Sequence, residues 1–282
     1  MKERPSIPLL KEDRVSKLIK ALQCINQHPY SREKQRSCIL RLYPNKTEKS
    51  VFRGMIIPTL RYLGLILGFG EAIRLSGNGK IIVEAAKRSI EEARRVARVV
   101  LLDEDKRTFH FVEILRRNPN ILKKNFIDLK CQEIEGKPRK RVEERINRWL
   151  RVLKECGLIE LREERINPRK KNYKDAEKEL NAEPKSRLFR RVLFEQYRSF
   201  PSYETAGIVD IPLLRQLVAI RYYTDHNMIL TESQFDELLR RLPFVTEDYV
   251  VSLGQSMGAE EKLFLYKGNY YRTLSITFFE KG

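Results

Sequence analysis

Apolar residues recur with helical spacing along most of the chain, and short extended stretches follow them at three places. Residues 15–22 (VSKLIKAL) are apolar at positions i, i+3, i+4 and i+7, which predicts an amphipathic helix. Residues 31–43 predict a second helix and residues 49–66 a third. Because Pro58 removes a backbone donor inside the third helix, we expect a bent helix or two short ones.

Two short apolar pieces come next, at residues 65–67 and 72–75, on either side of a loop that contains glycine. This arrangement predicts a β-hairpin. Ser76 then caps a long helix, which the apolar spacing predicts over residues 80–102.

The run Gly77-Asn78-Gly79-Lys80 lies between this hairpin and the helix and resembles a phosphate-binding loop, because a glycine pair precedes a lysine. A Walker loop has the pattern GxxxxGK followed by Ser or Thr, whose hydroxyl ligates magnesium. Arg74 stands where the first glycine is needed, and Ile81 follows the lysine. The run is therefore interpreted as a helix start rather than a nucleotide site.

Three helices, a hairpin and a trailing helix form the order of a winged-helix domain, a variant of helix-turn-helix. Residues 60–87 (LRYLGLILGFGEAIRLSGNGKIIVEAAK) resemble the end of such a domain, where the third helix closes on a Gly-Leu-Ile turn and Leu-Ser-x-x-Gly-Lys opens the trailing helix. The resemblance covers roughly residues 12–90.

A second copy of this pattern is predicted after residue 105. Helices are expected over 106–117 and 121–129, followed by the helical stretch KPRKRVEERINRWLRVLKECGLIEL, which begins at Lys137. Placing Gly64-Leu65-Ile66 on Gly157-Leu158-Ile159 gives an internal match at a 93-residue offset with agreeing apolar positions, which indicates a duplicated module. Residues 159–163 and the basic stretch 167–171 would form its wing.

The remaining chain predicts a linker and a third module. Residues 172–185 are polar and lack apolar periodicity, which indicates a linker, and we assign the linker to residues 176–185. Helices are predicted over 186–200, 211–223 and 232–242, with a hairpin at 263–266 and 270–276. The predicted fold class is mainly α with small β-hairpins (α+β), in three consecutive winged-helix modules: 1–105, 106–175 and 186–282.

Charge divides the chain in the same way. Residues 1–105 carry 21 Lys and Arg against 12 Asp and Glu, and residues 106–175 carry 21 against 11, whereas residues 186–282 carry 12 against 12. Two basic modules and a neutral third favour a polyanionic partner for the first two and a different role for the third. Aromatic residues crowd the third module, where a core and a protein-contact surface are the preferred interpretation over base stacking.

The third helix of a helix-turn-helix lies in the major groove, with basic side chains around it on phosphates. In the first module this predicts DNA contacts from the second helix, the third helix and the wing, namely Arg32, Lys34, Arg36, Lys46, Lys49, Ser50, Arg53 and Arg74. In the second module it predicts contacts from Lys137, Arg139, Lys140, Arg141, Arg145, Arg148, Arg169, Lys170 and Lys171.

Other chemistry has weaker support in the sequence. The run Asp103-Glu104-Asp105-Lys106 has the shape of part of a metal-dependent nuclease site, but no partner carboxylate on a nearby strand can be identified. Four separated cysteines indicate reduced core thiols rather than a zinc site. We expect no catalytic residues, metal or other cofactor. The absence of a long apolar run predicts no membrane association and a cytoplasmic protein, nucleoid-associated if prokaryotic.

Tandem basic winged-helix modules followed by a neutral one resemble the DNA-recognition region of type IIS restriction endonucleases. That resemblance implies that the first two modules read DNA and that residues 186–282 bind a protein partner or a second copy. It does not extend to a nuclease motif. The expected function is sequence-specific binding of double-stranded DNA, as a regulator or as the recognition component of a restriction, defence or mobile-element system. The alternatives are a metal-dependent DNA endonuclease and an RNA or single-stranded DNA binding protein.

Overall fold

The chain is mostly helical with small antiparallel sheets, in agreement with the predicted α+β class. The computed structural model describes residues 10, 12–68, 73–108, 110–132, 138–182, 186–200, 203, 207–255 and 263–279, and only the backbone of 105–108.

The first region carries four helical elements, a hairpin and two further helices. In chain order these are α1 (Val15–Gln27), α2 (Arg32–Leu40), a π-helix (Ser50–Met55), α3 (Ile56–Tyr62), β1 (Ile66–Leu67), β2 (Arg74–Leu75), α4 (Gly77–Arg88) and α5 (Ile90–Thr108). The predicted third helix is thus two short helices, as Pro58 led us to expect. The predicted single helix over 80–102 is wrong, because the chain breaks at Ser89, whose hydroxyl accepts the Glu92 N–H at 3.0 Å and caps α5.

The second region comprises α6 (Phe111–Arg117), β3 (Ile121–Leu122), α7 (Lys123–Gln132), α8 (Arg139–Glu155), β4 (Ile159–Arg162), β5 (Arg165–Pro168) and α9 (Lys170–Asn181). The helix predicted over 106–117 is divided, since His110 adopts a positive φ of 55° before α6. The predicted linker is also wrong over most of its length. It forms α9, because Tyr173 and Ala176 are buried and Leu180 packs against the same core.

The third region comprises α10 (Ser186–Arg198), β6 (Ile208–Asp210), α11 (Ile211–His226), α12 (Glu232–Arg241), β7 (Tyr249–Gln255), β8 (Phe264–Tyr266) and β9 (Asn269–Phe278). Its sheet has the order β6-β9-β7, with β8 also paired to β9. The second region has the order β3-β5-β4. Both regions therefore run helix, strand, helix, helix and hairpin, and in both the first strand pairs with the last.

The 93-residue repeat is visible in backbone geometry where the third helix ends. Gly64 and Gly157 both adopt positive φ, at 66° and 74°, a conformation that glycine adopts without steric cost. The next residue of each copy donates its N–H to the carbonyl five positions earlier, Leu65 to Leu60 and Leu158 to Leu153, both at 2.9 Å.

The same offset holds where the chain returns from each hairpin. The Ser76 N–H donates to the Leu65 carbonyl at 3.0 Å, and the Arg169 N–H donates to the Leu158 carbonyl at 2.9 Å. Equivalent backbone bonds at positions 93 residues apart are what a duplicated unit produces. The two Leu-Ile pairs that match in the sequence, 65–66 and 158–159, thus also take part in equivalent backbone hydrogen bonds.

Two hydrophobic cores hold the chain together. One runs continuously through the first and second regions and also takes in Ala219, Tyr223 and Ile229 of the third. The other lies inside the third region, around Phe189, Tyr222 and other buried side chains. The first two regions therefore share one core, and the third packs on them through α11 against α4.

The expectation of four reduced cysteines is wrong for two of them. Cys24 of α1 and Cys38 of α2 form a disulfide with Cα atoms 5.7 Å apart, whereas Cys131 and Cys156 are free thiols. The 14-residue separation carries no recognisable spacing motif, and the pairing depends on α2 folding back along α1.

Candidate nucleic-acid interface

A basic groove crosses the first region between α2, the π-helix, α3 and β2. It encloses about 760 Å³. Its apolar floor contains Phe52, Ile57, Pro58 and Ile73. Among the residues that the structure describes, its charged lining consists of Arg32, Arg36, Lys49, Arg53, Arg61 and the acid Glu48. An open groove with five cations and one carboxylate attracts a polyanion.

The groove owes its shape to the irregular third helix. Pro58 lacks an N–H, and the residues before it follow a π-helix in place of an α-helix. Such π segments are rare and recur at functional sites. Arg36 lies over the ring of Phe52, 5.8 Å from its centroid, and its guanidinium contacts Glu48 at 3.1 Å. One of the five cations is thus partly neutralised inside the groove.

Four of the eight residues predicted to bind DNA in the first region line this groove, namely Arg32, Arg36, Lys49 and Arg53. Lys34, Lys46 and Arg74 are exposed elsewhere on the same region. Ser50 is half-buried, and its hydroxyl points toward the Met55 sulfur at 3.9 Å. Its hydroxyl therefore faces its own helix.

Arg61 lines the groove and was missed by the sequence reasoning. Its guanidinium donates to the Gly68 carbonyl at 2.6 Å, which also ties α3 to the hairpin. A signal was present, because Arg53 and Arg61 are eight residues apart, close to two helical turns and hence on one face.

The N-terminus of α8 is the basic surface of the second region. Pro138 precedes the helix, and Arg139, Lys140 and Arg141 follow it, all three exposed. Cations at the positive end of a helix dipole cost about 0.3–1 kcal/mol each, whereas an anion there is favourable. Arg139 is paired with Asp128 of α7. Lys137, also predicted to bind DNA, lies outside the described residues.

Farther along α8, the arginines predicted to bind DNA are less accessible than those at the start of the helix. Arg145 is half-buried, and Arg148 donates to the Leu10 carbonyl at 2.8 Å. Arg151 contacts Asp13 at 2.9 Å, and Glu155 accepts the Val15 N–H at 2.8 Å. The second half of α8 is therefore bonded to the segment that leads into α1, and Arg148 is used inside the molecule.

The hairpin of the second region differs from the predicted basic wing. Its tip is Glu163-Glu164, both exposed and both with positive φ. The basic residues Arg169, Lys170 and Lys171 lie at its base, where α9 begins, and Arg169 is paired with Glu160 at 2.9 Å. Of the basic stretch predicted to form the wing, Asn167 and Pro168 belong to β5, whereas its three cations come after the strand.

In the third region the N-terminus of α12 is covered. Thr231 caps the helix, and Gln234 completes a reciprocal capping box. Glu232 accepts the Gly77 N–H at 2.8 Å, and its own N–H donates to the Asn78 side chain at 3.1 Å. The first turns of α4 and α12 thus cap each other in a buried contact.

The residues of the Gly-Asn-Gly-Lys run are engaged in this packing, which confirms the predicted helix start. The Ser76 hydroxyl accepts the Gly79 N–H at 3.0 Å, and a Cβ atom at Gly79 would lie 2.1 Å from the Leu65 carbonyl oxygen. Lys80 donates to the Asn26 side chain, and burial lowers the pKa of its ammonium group.

Most aromatic residues of the third region lie in its core. Tyr197, Phe200, Tyr222 and Tyr223 are buried, whereas Tyr270 is exposed. The Tyr223 hydroxyl donates to Glu92 of α5 at 2.8 Å. These buried rings pack the third region and join it to the first; they are not available to stack on bases.

One carboxylate of the possible nuclease run, that of Asp103, serves packing as well. Asp103 is buried and accepts a hydrogen bond from the Ser233 hydroxyl of α12. Among the described residues there is no group of three or more His, Cys, Asp or Glu side chains arranged to hold a metal ion. Among the same residues, no helix has the length and apolar content needed to cross a membrane.

The geometry is thus two exposed basic surfaces, on the groove of the first region and the start of α8, and a third region whose corresponding helix start is buried. Comparison with protein-family models, curated proteins and solved structures found no match for the chain.

Proposed function

We propose that the chain binds double-stranded DNA in a sequence-specific manner through two basic winged-helix modules, residues 1–105 and 106–175. The third winged-helix-like module, residues 186–282, serves protein contacts. In this proposal the protein is a cytoplasmic regulator, or the recognition component of a restriction, defence or mobile-element system. Cleavage, if the system performs it, is supplied by a partner.

One observation carries the proposal. Exposed cations are concentrated around the third helix of the first region and of the second, whereas the start of the third helix of the third region, α12, is covered. Arg139, Lys140 and Arg141 are exposed at the start of α8, whereas the start of α12 is bonded to Gly77 and Asn78. Helix-turn-helix proteins place the start of this helix at base edges. The accessible helix starts are the basic ones.

The groove of the first region supports a backbone-binding role. Arg32 and Arg36 of α2 line it together with Lys49, which precedes the π-helix, and Arg53 of the π-helix. Arginine and lysine contacts to phosphates set the register of a protein on a duplex, and base contacts then supply specificity. In the proposal this groove grips phosphates, and the start of α8 approaches a neighbouring stretch of the same duplex.

The third module already contacts the rest of the chain through α11 and α12. Apolar side chains still exposed there include Val245, at 75%, and Phe279, at 48%. This exposed apolar surface is available to a partner protein or a second copy.

The test is binding of a labelled random-sequence duplex, the matching single strand and an RNA strand, each across a salt series with Mg²⁺ present. The logarithm of affinity should fall with the logarithm of salt concentration by about 0.9 per phosphate neutralised on B-form DNA. We expect a slope of about five or more, preference for duplex and intact DNA. A shallow slope or preference for a single strand contradicts the proposal, and a cut product favours the endonuclease.

A further inference from the structure

The disulfide between Cys24 and Cys38 lies directly behind the basic groove. Cys24 is buried in α1, and Cys38 is half-buried in α2. The same short helix carries Arg32 and Arg36 into the groove. The covalent bond therefore joins the body of the first region to the helix that forms one wall of the proposed DNA site.

The other attachments of α2 are few. Of its nine residues, all described, two are buried: Gln35 and Ile39. The Gln35 amide donates to the His28 carbonyl at 2.9 Å and to the Ile73 carbonyl at 3.2 Å. Ile39, the partly buried Leu40 and one bridging amide are a small anchor for a helix that places several cations. The disulfide restricts its position more than any of these contacts.

The two remaining cysteines have different surroundings. Cys156 is buried, and burial raises the pKa of its thiol to about 12. Burial also raises the pKa of the half-buried Cys131 thiol. Because the thiolate is the reactive form, neither is suited to rapid exchange at neutral pH. The Cys24–Cys38 pair can therefore be studied with the other two left in place.

We propose that Cys24–Cys38 is a reversible oxidation site that controls DNA binding by the groove, with the disulfide form binding tightly and the dithiol form weakly. This inference rests on the proposed function. Reduction requires a dithiol. One of its thiolates attacks the Cys38 sulfur, which is the more accessible, and Cys24 leaves as a thiolate and takes up a proton.

The second thiol of the reductant then attacks its own sulfur in the mixed disulfide and releases Cys38, which also takes up a proton. Two electrons pass to the protein, and the reductant becomes a disulfide. After the bond opens, α2 keeps its non-covalent contacts, among them those of Gln35, Ile39 and Leu40, but the wall of the groove that carries Arg32 and Arg36 loses its covalent tie to α1. Exchange with the oxidised, disulfide form of such a dithiol restores it: the Cys38 thiolate attacks that disulfide, and the Cys24 thiolate then attacks the Cys38 sulfur of the mixed disulfide. The released dithiol carries away the two electrons and two protons.

The experiment begins with the full chain in oxidised and dithiothreitol-reduced forms. Thiol titration after denaturation should find two thiols in the oxidised protein, from Cys131 and Cys156, and four after reduction. Binding of a duplex of about 25 base pairs is then measured for both forms across a salt series. We expect reduction to weaken binding at least about fivefold and to lower the salt slope by about two, the loss of roughly two phosphate contacts.

Matched variants locate the effect. Cys24→Ser and Cys38→Ser should bind like the reduced protein and ignore dithiothreitol, whereas Cys131→Ser should keep the full response. In the reduced protein Arg36→Ala should cost nothing further, while Arg141→Ala on α8 should weaken binding as it does in the oxidised form. If both lose their effect, the disulfide holds the whole fold rather than the groove, and the inference is wrong.

Failure of the inference is distinguishable from failure of the proposed function. Equal duplex affinity and equal slope in the oxidised and reduced forms would overturn the redox site and leave DNA binding intact. Four titratable thiols in protein prepared without reductant would overturn it as well. Absence of duplex binding by the oxidised protein would remove the proposed function itself.

Discussion

Helices α8 and α12 occupy the same place in their regions, between a helix and a hairpin, but their first turns have opposite surroundings. Arg139, Lys140 and Arg141 at the start of α8 are exposed. At the start of α12 Thr231 and Glu232 are buried, and Glu232 is bonded to Gly77 across the contact with α4. The same order of elements thus presents a basic helix start to solvent in one region and buries an acidic one in the other.

This difference indicates that the charge of a helix start in this chain is related to whether that helix start is exposed or buried. A buried helix N-terminus needs an acceptor, and Glu232 supplies a carboxylate to the positive end of the α4 dipole. At an exposed helix N-terminus, water or a ligand can accept the hydrogen bonds of the free N–H groups. Helix α8 has cations there although they interact unfavourably with the positive end of the helix dipole. Neutral overall charge in the third region therefore accompanies its docked position, and the second region keeps Arg139, Lys140 and Arg141 on an open surface.

The packing at the start of α4 can be disrupted most severely at Gly79, whose Cβ position meets the turn that follows α3. A Cβ atom there would lie 2.1 Å from the Leu65 carbonyl oxygen, in a backbone contact that cannot yield cheaply. We expect Gly79→Ala to lower the free energy of unfolding by about 3 kcal/mol. Gly54→Ala is the matched control, since nothing lies within 4 Å of its Cβ position. Urea unfolding measures both, and equal stability of the two variants would contradict the packing at the start of α4.

Glu232 tests the contact between α4 and α12, because its substitution removes a hydrogen-bond acceptor without adding volume. Glu232→Ala leaves the buried Gly77 N–H without its acceptor, which should cost about 1–3 kcal/mol in unfolding free energy. Glu237→Ala, which removes an exposed partner of Arg240 and Arg241 in the same helix, should change stability by less than about 1 kcal/mol. Duplex affinity should not change in the Glu232 variant. A gain in affinity would indicate that α12 reads DNA once it is uncovered.

The entry to α1 provides a pH test of what holds the basic regions together. Glu12 is buried, and although burial opposes its charge, hydrogen bonds from Arg14 and from the Tyr43 hydroxyl, 2.6 Å away, lower the pKa of its carboxyl below 4.5. A depressed folded-state pKa contributes stability above the unfolded-state value, and this contribution is lost as the pH falls through the folded-state value.

Wild-type protein should therefore lose stability between about pH 5 and pH 3, and Glu12→Gln should lose less over the same interval. Urea unfolding at the two ends of this range gives the comparison. The third region supplies a control in Glu237→Gln, because that carboxyl is largely exposed and its pairing is screened by solvent. An identical pH dependence of wild type and Glu12→Gln would contradict the role assigned to this carboxylate.

The sequence predicted the fold best where local chemistry is decisive. The Gly-Leu-Ile turns, the Ser76 cap and the effect of Pro58 all follow from short-range backbone rules, and the structure confirms them. A further local signal was overlooked. Ser89 and Glu92 have capping-box spacing and mark the break between α4 and α5.

Features that depend on distant contacts could not be predicted in the same way. Helix α9 buries Tyr173 and Ala176 against α5, and so small an apolar face resembles a linker in sequence. Arg148 belongs to a basic helix but reaches the Leu10 carbonyl, 138 residues away. The Cys24–Cys38 bond also depends on how two helices meet. The basic groove was partly predicted, and Arg61 completes it because the hairpin folds back over α3.

The central claim is that the accessible cations of the first two regions bind duplex DNA and that those of the third do not. The most direct measurement compares salt slopes of duplex binding for three double variants: Arg32→Ala/Arg36→Ala in the groove, Lys140→Ala/Arg141→Ala on α8 and, as control, Arg187→Ala/Arg190→Ala, which removes two exposed arginines of α10. We predict that the first two lower the slope by about 1.8 each, from two phosphate contacts, and that the control leaves it unchanged. Equal reductions in all three variants, or a reduction confined to α10, would contradict the account.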